Sequence, residues 1–300
     1  MIVTGLDDYV AKTCLKPQEA DTIGKSFKTT IGKQYGDIHM RIIFVRHGEP
    51  DYSVDGLSER GIKEAMITAE RIKKWNVKDY YVSPLGRALQ TARPTLDATG
   101  RSATTLPWLR EFSYPITDPT NGRHSVPWDY VPSHWTNDPL MFSQDKWMEA
   151  GGNNTNPELS EKAYEVWREM DKLLEKYGYY RKDRYYININ REERFFKSTV
   201  IDDKRHLANE IPDEDAGDTI VMFCHFGVTC LILSHLLNIP FEPLAQGTLI
   251  PCCGITTVYT EERWGKEASF RLQSLGDVSH FIAAGEPISS AGSFAPLFQG

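Results

Sequence analysis

The sequence predicts an α/β fold: a three-layer sandwich with a mostly parallel central sheet, helices on both faces and an inserted lid region. Residues 42–45 and 219–224 are apolar without polar alternation, as in interior strands that are covered on both faces. Residues 79–83 form a further short strand after an amphipathic helix, and the order strand, helix, strand favours a right-handed parallel crossover. These observations predict a parallel sheet between two layers of helices.

Composition and charge restrict the classes of function. The chain has 300 residues, of which 40% are apolar, so it can bury a sizeable core. Its net charge of −7 argues against broad binding to nucleic acid or to an anionic membrane. The sequence shows neither a basic leader followed by an apolar segment nor an apolar run that could cross a bilayer, which predicts a soluble, cytoplasmic protein. We expect a small-molecule partner and no cofactor or metal, and the oligomeric state stays open.

The chain order suggests one main domain. Residues 1–39 are weakly periodic, and we expect a weakly anchored N-terminal extension. Residues 40–285 are predicted to form a single α/β domain with an insertion at about 113–217, and residues 286–300 a C-terminal tail. The first part of the insertion is rich in proline and tryptophan, which is typical of an ordered irregular segment that could roof a pocket. Weak candidates for the substrate pocket are Tyr114, Arg123 and Trp128.

The first candidate site lies at the end of the first strand. The strand ends in Arg46, His47 and Gly48, and the glycine can accept a positive φ or let another group approach the backbone closely. A cation and an imidazole at the carboxyl end of a buried strand indicate an oxyanion site. From this segment alone, an Arg-His pair that merely ends a strand and faces water is an equally good interpretation.

Two further strand exits carry residues of the same kind. The second strand is followed by a helix that begins near Ser83, which places Arg87 near the helix amino end, where the backbone favours an anion. The strand of residues 219–224 ends in His225 and Phe226, again before a helix. An exposed helix arginine and a buried core histidine are the alternatives. Exits of parallel strands meet at one edge of an open α/β sheet, so we expect these groups to converge.

Four segments together resemble the histidine phosphatase superfamily, the phosphoglycerate-mutase-like enzymes. Arg46-His47-Gly48-Glu49 resembles the family's Arg-His-Gly signature, and residues 83–92 resemble its Ser-x-x-x-Arg-Ala-x-Gln-Thr-Ala segment. Glu111 matches its Leu-x-Glu segment, and His225 its second histidine. The resemblance implies that His47 is the nucleophile that becomes phosphorylated and that Glu111 is the general acid. The phosphate ligands that it implies are Arg46, His47, Arg87 and His225, with Phe226 beside them.

The implied activity is a metal-independent phosphomonoester hydrolase that acts through a phosphohistidine on a small phosphorylated metabolite. Fixed cationic donors, here the arginines and a protonated His225, would stabilise charge on the transferring phosphoryl group without a metal. His47 should attack as a neutral imidazole while one ring nitrogen donates to a backbone carbonyl. Aromatic neighbours, Phe112, Trp108 or Tyr114, are expected to raise the pKa of Glu111. A phosphoglycerate mutase and a catalytically silent phospho-ligand binding protein stay open as alternatives.

Overall fold

The strands and helices are taken from a computed structural model, which describes residues 40–190, 217–262 and 266–299. The predicted extension, residues 1–39, lies outside the described residues. The strands are β1 (Arg41–Arg46), β2 (Pro50–Asp51), β3 (Gly56–Leu57), β4 (Asp79–Val82), β5 (Ala103–Thr105), β6 (Ile116–Thr117), β7 (His124–Ser125), β8 (Tyr179–Lys182), β9 (Tyr185–Asn188), β10 (Thr219–Cys224), β11 (Ile255–Glu262) and β12 (Glu267–Asp277). The helices are α1 (Glu59–Ile72), α2 (Gly86–Thr99), α3 (Pro132–Trp135), α4 (Leu159–Glu175), α5 (Phe226–Leu237), α6 (Phe241–Gly247) and α7 (Ser279–Ala284).

The central sheet has eight strands in the order β5, β4, β10, β1, β11, β12, β9, β8. The four strands from β5 to β1 are parallel, and every pairing from β1 to β8 is antiparallel. The predicted α/β class is confirmed, and the sheet is mixed. Parallel pairing stops at β1 because the strands beyond it belong to the hairpins β11–β12 and β8–β9, whose short connections impose antiparallel neighbours.

The sheet separates two hydrophobic cores. Successive side chains of β1 point to opposite faces, so Ile42 and Phe44 join one core while Ile43 and Val45 join the other. Buried residues of α4 and α5 belong to the first core, and buried residues of α1 and α2 belong to the second. Helices therefore cover both faces of β1, as the unalternating sequence of this strand predicts.

Helix α5 is a core helix and carries a candidate residue at its start. All its residues except Leu237 are buried, and such helices are apolar around their whole circumference. His225 is its N-cap residue, with extended backbone. The sequence thereby places the imidazole between the end of β10 and the first turn of a fixed helix.

The described part of the predicted insertion is ordered and shares the main core. Between β5 and α4 it contains the small hairpin β6–β7, helix α3 and several short 3₁₀ turns, and its Trp147 is fully buried against Phe241 of α6 with ring centroids 4.4 Å apart. Residues 191–216 of the insertion lie outside the described residues. In the part of the chain that is described, no helix has the length and apolar character of a membrane span.

The C-terminal segment, residues 286–299, contains neither helix nor strand but packs onto the β1 exit. The Ser289 hydroxyl donates to Glu49 Oε2 over 2.6 Å, and the Pro287 carbonyl accepts from Arg60 Nη2 over 2.7 Å. The predicted tail is thus attached next to the candidate site.

Candidate active site

Three neighbouring parallel strands bring the predicted site residues together. Strand β10 lies between β1 and β4, and Arg46 stands opposite Cys224 in the register. His47 and His225 follow directly, and their ring centroids are 5.1 Å apart. The exits therefore converge as expected, although 178 positions separate the two histidines in the sequence, from 47 to 225.

His47 is oriented by its own backbone neighbourhood. Its Nδ1 lies 2.7 Å from the carbonyl oxygen of Gly48, and because a carbonyl only accepts, Nδ1 carries the proton. Nε2 is then an unprotonated nitrogen, and it has no hydrogen-bond partner among the described residues. Burial, and next the charge of Arg46, lower the pKa of His47 from 6.5 to about 3. At neutral pH the side chain is a neutral imidazole with one available nitrogen.

His225 is fully buried and bonded through one nitrogen only. Its Nε2 lies 2.7 Å from Ser83 Oγ, while its Nδ1 is buried without a partner among the described residues. Burial, followed by the electrostatic effects of His47, Arg87 and Arg46, holds the pKa of His225 well below its usual range. The neutral ring is therefore favoured, in place of the predicted protonated one. The Ser83 hydroxyl accepts from the Leu85 amide over 3.3 Å, so its own hydrogen is available to donate to Nε2, and in that arrangement Nδ1 carries the ring hydrogen.

The two arginines each keep one donor unused. Arg46 is buried and donates from Nη1 to the carbonyl of Ile250 over 2.5 Å, but its Nε is buried without a partner in the described chain. Arg87 pairs through Nη1 with Asp55 Oδ1 at 2.7 Å, and its Nε is likewise buried and unpaired. Buried donors are normally satisfied, because an unpaired one costs free energy. Together with His225 Nδ1, these atoms make three N–H donors that lack an acceptor.

The loop between β2 and β3 fixes Arg87. Asp55 has a left-handed backbone with φ of +46°, and its second carboxylate oxygen accepts from the Gly86 amide over 2.8 Å. A side chain at position 86 would collide with the Asp55 carbonyl, so glycine is required there. One carboxylate thus orients both Arg87 and the first residue of α2.

Glu111 approaches the site from the opposite side, next to the start of α5. Its Oε1 accepts from the backbone amides of Phe112, over 2.9 Å, and Val228, over 3.1 Å. Oε2 has no partner among the described residues, so a proton on this carboxyl belongs on Oε2. Burial raises the pKa of Glu111, although both amides and the charge of Arg46 act in the opposite direction. Burial thus favours the protonated carboxyl, the form that can donate a proton.

The aromatic surroundings of Glu111 differ from the expected ones. Phe112 and Trp108 are buried in the hydrophobic core, and Tyr114 packs on Phe112 with ring centroids 5.2 Å apart. The aromatic side chain beside the carboxyl is that of Trp128, which donates from Nε1 to the Phe112 carbonyl over 3.0 Å. Sequence neighbours point elsewhere because successive residues of this irregular segment face different sides of the chain.

Of the three weak pocket candidates, Tyr114, Arg123 and Trp128, only Trp128 packs on Phe226, which was predicted at the phosphate site. Phe226 lies with its ring centroid 6.0 Å from the Arg46 guanidinium carbon, and Trp128 packs edge-on against Phe226 at 5.5 Å. Arg123 is exposed beside the β6–β7 hairpin, and no contact among the described residues joins it or Tyr114 to His47.

Four positions at the site were missed as site residues. Ser83 was expected only to begin a helix, but α2 starts at Gly86 and the Ser83 hydroxyl bonds to His225 instead. Asp55 was passed over as a loop residue. Gly227 leaves space that Trp128 and Glu111 occupy, and Gly292 leaves space for Arg46. The Asp55-Gly56 turn signal was readable in the sequence, whereas the other three depend on contacts between distant segments.

In the described ranges, no group of three or more His, Cys, Asp or Glu side chains could hold a metal ion.

Comparison with known proteins relates part of the chain to a known family. Residues 42–176 match the family model of the histidine phosphatase superfamily, branch 1. A curated relative, described as a probable phosphoglycerate mutase GpmB of Yersinia pestis (strain Pestoides F), is 32% identical over 88 residues. This match covers 26% of the present chain and 41% of the relative, so the chain spans less than half the length of the curated relative that it matches.

Solved structures of low sequence identity are also similar. The mycobacterial glucosyl-3-phosphoglycerate phosphatase is 17% identical, with 79% of this chain and 99% of that chain covered and a TM-score of 0.48. Phosphoserine phosphatase from Entamoeba histolytica, in complex with 3-phosphoglyceric acid, is 18% identical, with coverages of 80% and 98% and a TM-score of 0.47. The range of the chain that matches the family model begins in β1 and contains Arg46, His47, Arg87 and Glu111. Over residues 42–176, which are 135 of its 300 residues, the chain is similar to the histidine phosphatase superfamily.

Proposed function

We propose that the protein is a metal-independent phosphomonoester hydrolase that acts through a phosphohistidine at His47. One set of observations carries this proposal: Arg46 Nε, Arg87 Nε and His225 Nδ1 are buried without a partner in the described chain, the His225 ring lies 5.1 Å from the His47 ring, and the charges of both arginines act on His47. A phosphoryl group offers three oxygens that accept such donors, and the neutral imidazole is the nucleophile that its phosphorus requires.

In the first step, Nε2 of His47 attacks phosphorus and the bond from phosphorus to the ester oxygen breaks. Glu111 Oε2 gives its proton to the departing oxygen, so the leaving group departs as a neutral alcohol. The imidazole becomes positive as its bond to phosphorus forms, and the Gly48 carbonyl that accepts from Nδ1 stabilises that charge.

In the second step, water attacks the phosphohistidine. The Glu111 carboxylate removes a proton from this water as the bond from Nε2 to phosphorus breaks, which returns His47 to its neutral form and releases phosphate. Oε1 stays bonded to two backbone amides throughout, so only Oε2 exchanges protons. The same group therefore serves as acid and then as base.

Charge compensation in this scheme comes from the side chains of the protein. Arg46 and Arg87 are permanently charged, and their contacts with Ile250 and Asp55 fix them before substrate arrives. Resistance of turnover to EDTA is expected, and a strict requirement for Mg²⁺ would contradict the metal-independent mechanism.

The direct test is release of inorganic phosphate from a panel of small phosphorylated metabolites, with His47→Ala as the blank and His134→Ala as a control on a histidine outside the site. We expect release by the native protein and the control and none by His47→Ala. Acid-labile ³²P on the native chain, absent from His47→Ala, would report the phosphohistidine. Unchanged activity in His47→Ala would overturn the mechanism.

Phosphoglycerate mutase activity is the second candidate, favoured by the curated relative that carries this description. Incubation with 3-phosphoglycerate separates the two reactions, because a hydrolase releases phosphate and a mutase interconverts the isomers. Binding of phosphate esters without either product would indicate a silent phospho-ligand binding protein.

A further inference from the structure

We propose that Trp128 is a positioning residue for the proton donor Glu111: the indole fixes the Glu111 segment and closes one side of the carboxyl against water. This inference rests on the proposed function. It assigns to the insertion between β5 and α4 a part in the chemistry, in addition to any contact with substrate.

The first support is a chain of hydrogen bonds. Trp128 Nε1 donates to the carbonyl of Phe112 over 3.0 Å, and the amide of the same residue donates to Glu111 Oε1 over 2.9 Å. The backbone of Phe112 is thereby bonded through both its amide and its carbonyl. Val228 adds a second amide to Oε1 from the first turn of α5. The carboxyl therefore has one orientation, with Oε2 directed away from these donors.

The second support is the shared space above Gly227. A Cβ atom at this position would stand 2.5 Å from Trp128 Nε1 and 2.8 Å from Glu111 Oε1, closer than real contacts allow. Those two atoms are consequently no more than about 5.3 Å apart, the sum of the two distances. The glycine does not have a positive φ, so its role here is to leave room for the indole and the carboxylate.

The third support is the connection to the other side of the site. The Trp128 ring packs edge-on against Phe226 with centroids 5.5 Å apart and planes at 78°. The Phe226 ring lies beside the Arg46 guanidinium, 6.0 Å from its centroid to Cζ. One aromatic pair thus connects the Glu111 segment with the guanidinium of Arg46.

Several groups around Glu111 affect its pKa. The charged groups that act on it are Arg46 of β1 and Arg87 of α2, and both favour the carboxylate. The thiols of Cys224 on β10 and Cys230 on α5 also face it, and burial holds them neutral. Burial is the factor that favours the protonated acid, so loss of the indole should let water stabilise the carboxylate.

The experiment compares two substrates in Trp128→Ala, Trp128→Phe and the control Trp135→Ala. Trp135 lies in the same insertion and packs on Phe142, and no contact among the described residues joins it to Glu111. p-Nitrophenyl phosphate has a leaving group that is stable as an anion, whereas glycerol 3-phosphate has an alkoxide leaving group that needs a proton. kcat/KM is measured for both from pH 5 to 9, since it reports the steps up to phosphorylation.

We expect Trp128→Ala to lower kcat/KM for glycerol 3-phosphate at least about tenfold more than for p-nitrophenyl phosphate, within the range that general acid catalysis contributes. The alkaline limb of its profile should move to lower pH, and Trp128→Phe should show a smaller change in the same direction. Trp135→Ala should keep the native ratio.

Equal losses on both substrates, or an unmoved alkaline limb in both Trp128 variants, would overturn the positioning role. Failure of the proposed function is distinguished separately, because His47→Ala would then retain activity on both esters. If His47→Ala is inactive but both Trp128 variants keep the native ratio of kcat/KM for the two substrates, the proposed function stands and the role of Trp128 is contradicted.

Discussion

The state of the two histidines depends on single hydrogen bonds. The Gly48 carbonyl accepts from Nδ1 of His47, and Ser83 bonds to Nε2 of His225, so the nitrogen left without a partner in the described chain is Nε2 in the first ring and Nδ1 in the second. His47 then presents a lone pair and His225 presents an N–H. Similar residues in similar strand positions are thereby suited to opposite tasks, attack on phosphorus and donation to its oxygen.

Replacing Ser83 by Ala should remove the hydrogen bond that selects the tautomer of His225. Nε2 would lose its donor, the ring could carry its hydrogen there, and Nδ1 would no longer donate to the phosphoryl group. We expect kcat/KM for p-nitrophenyl phosphate to fall about tenfold, which corresponds to about 1.4 kcal/mol. Ser234→Ala is the matched control, because its hydroxyl is also buried but lacks a partner in the described chain. Equal activity in the two variants would contradict the role given to Ser83.

The lowered pKa of His47, about 3, has a direct spectroscopic consequence. The folded protein should keep this imidazole neutral with Nε2 unprotonated from pH 8 down to about 5, where an ordinary histidine is charged. Long-range ¹H–¹⁵N correlation spectra, assigned with His47→Gln, measure the tautomer. Because the native pKa lies below the unfolded one, this residue stabilises the fold above pH 6.5, and that stabilisation is lost as the pH falls toward 3. Protonation of the folded state near pH 6.5 would refute the expected burial effect.

At the scale of elements, α6 and the insertion are joined by a buried carboxyl. Glu242 is fully buried, accepts from Asn153 Nδ2 over 2.8 Å, and lies 3.4 Å from Gln246 Nε2. Burial raises the pKa of Glu242 from 4.5 to about 8, and its two side-chain donors compensate only in part. The acid therefore remains protonated in the folded protein at neutral pH, and it connects α6 to the segment that carries Trp128.

Glu242→Gln should stabilise the protein increasingly as the pH rises. The folded state binds this proton more tightly than the unfolded chain, so the unmutated protein loses stability as the pH rises from about 4.5 to 8. The amide side chain of the variant does not titrate. Between pH 5 and 8 we expect the free energy of unfolding of the variant to rise by on the order of 3 kcal/mol relative to that of the unmutated protein, at about 1.4 kcal/mol for each pKa unit. Urea denaturation at both pH values measures this difference. Glu149→Gln, an exposed carboxyl of the same region, is the control, and identical pH dependence in all three proteins would be inconsistent with a neutral Glu242.

At the scale of the whole molecule, the C-terminal segment completes the wall behind Arg46. Ser289 bonds to Glu49 at the end of β1, and a Cβ atom on Gly292 would stand 2.6 Å from Arg46 Nη2. The backbone of Gly292 also has a φ of +79°, which favours glycine. The last residues of the described chain therefore help to set the position of the Arg46 guanidinium at the end of the first strand.

Gly292→Ala should displace the Arg46 guanidinium and weaken phosphate binding. Gly285→Ala is the matched control, because it has a similar positive φ of +66° but open space around its Cβ position. Both variants should lose about 1 kcal/mol of stability, since alanine is strained in this conformation. Only Gly292→Ala should raise the KM for p-nitrophenyl phosphate and the inhibition constant of inorganic phosphate, by several-fold. Equal KM values and equal inhibition constants in the two variants would show that the contact between Gly292 and Arg46 does not affect phosphate binding.

The sequence by itself determined the elements that carry chemistry: the apolar strands before Arg46 and His225, the helix that follows Ser83 and the order in which these segments occur. These are local patterns, because burial on both faces selects residue types within a strand, and strand exits in a parallel sheet share an edge. The resemblance to the superfamily then supplied the roles expected of His47 and Glu111.

Only the tertiary structure decided that Ser83 bonds to Nε2 of His225, that Trp128 lies beside Glu111, and where the C-terminal segment lies. Each of these depends on contacts between segments far apart in the chain: Ser83 with His225, Trp128 with Phe112, and Gly292 with Arg46. The mixed pairing of the sheet has the same origin, since the hairpins that extend it beyond β1 are placed by packing. Periodicity reports the face on which a side chain lies, and the identity of its partner follows only from how the faces assemble.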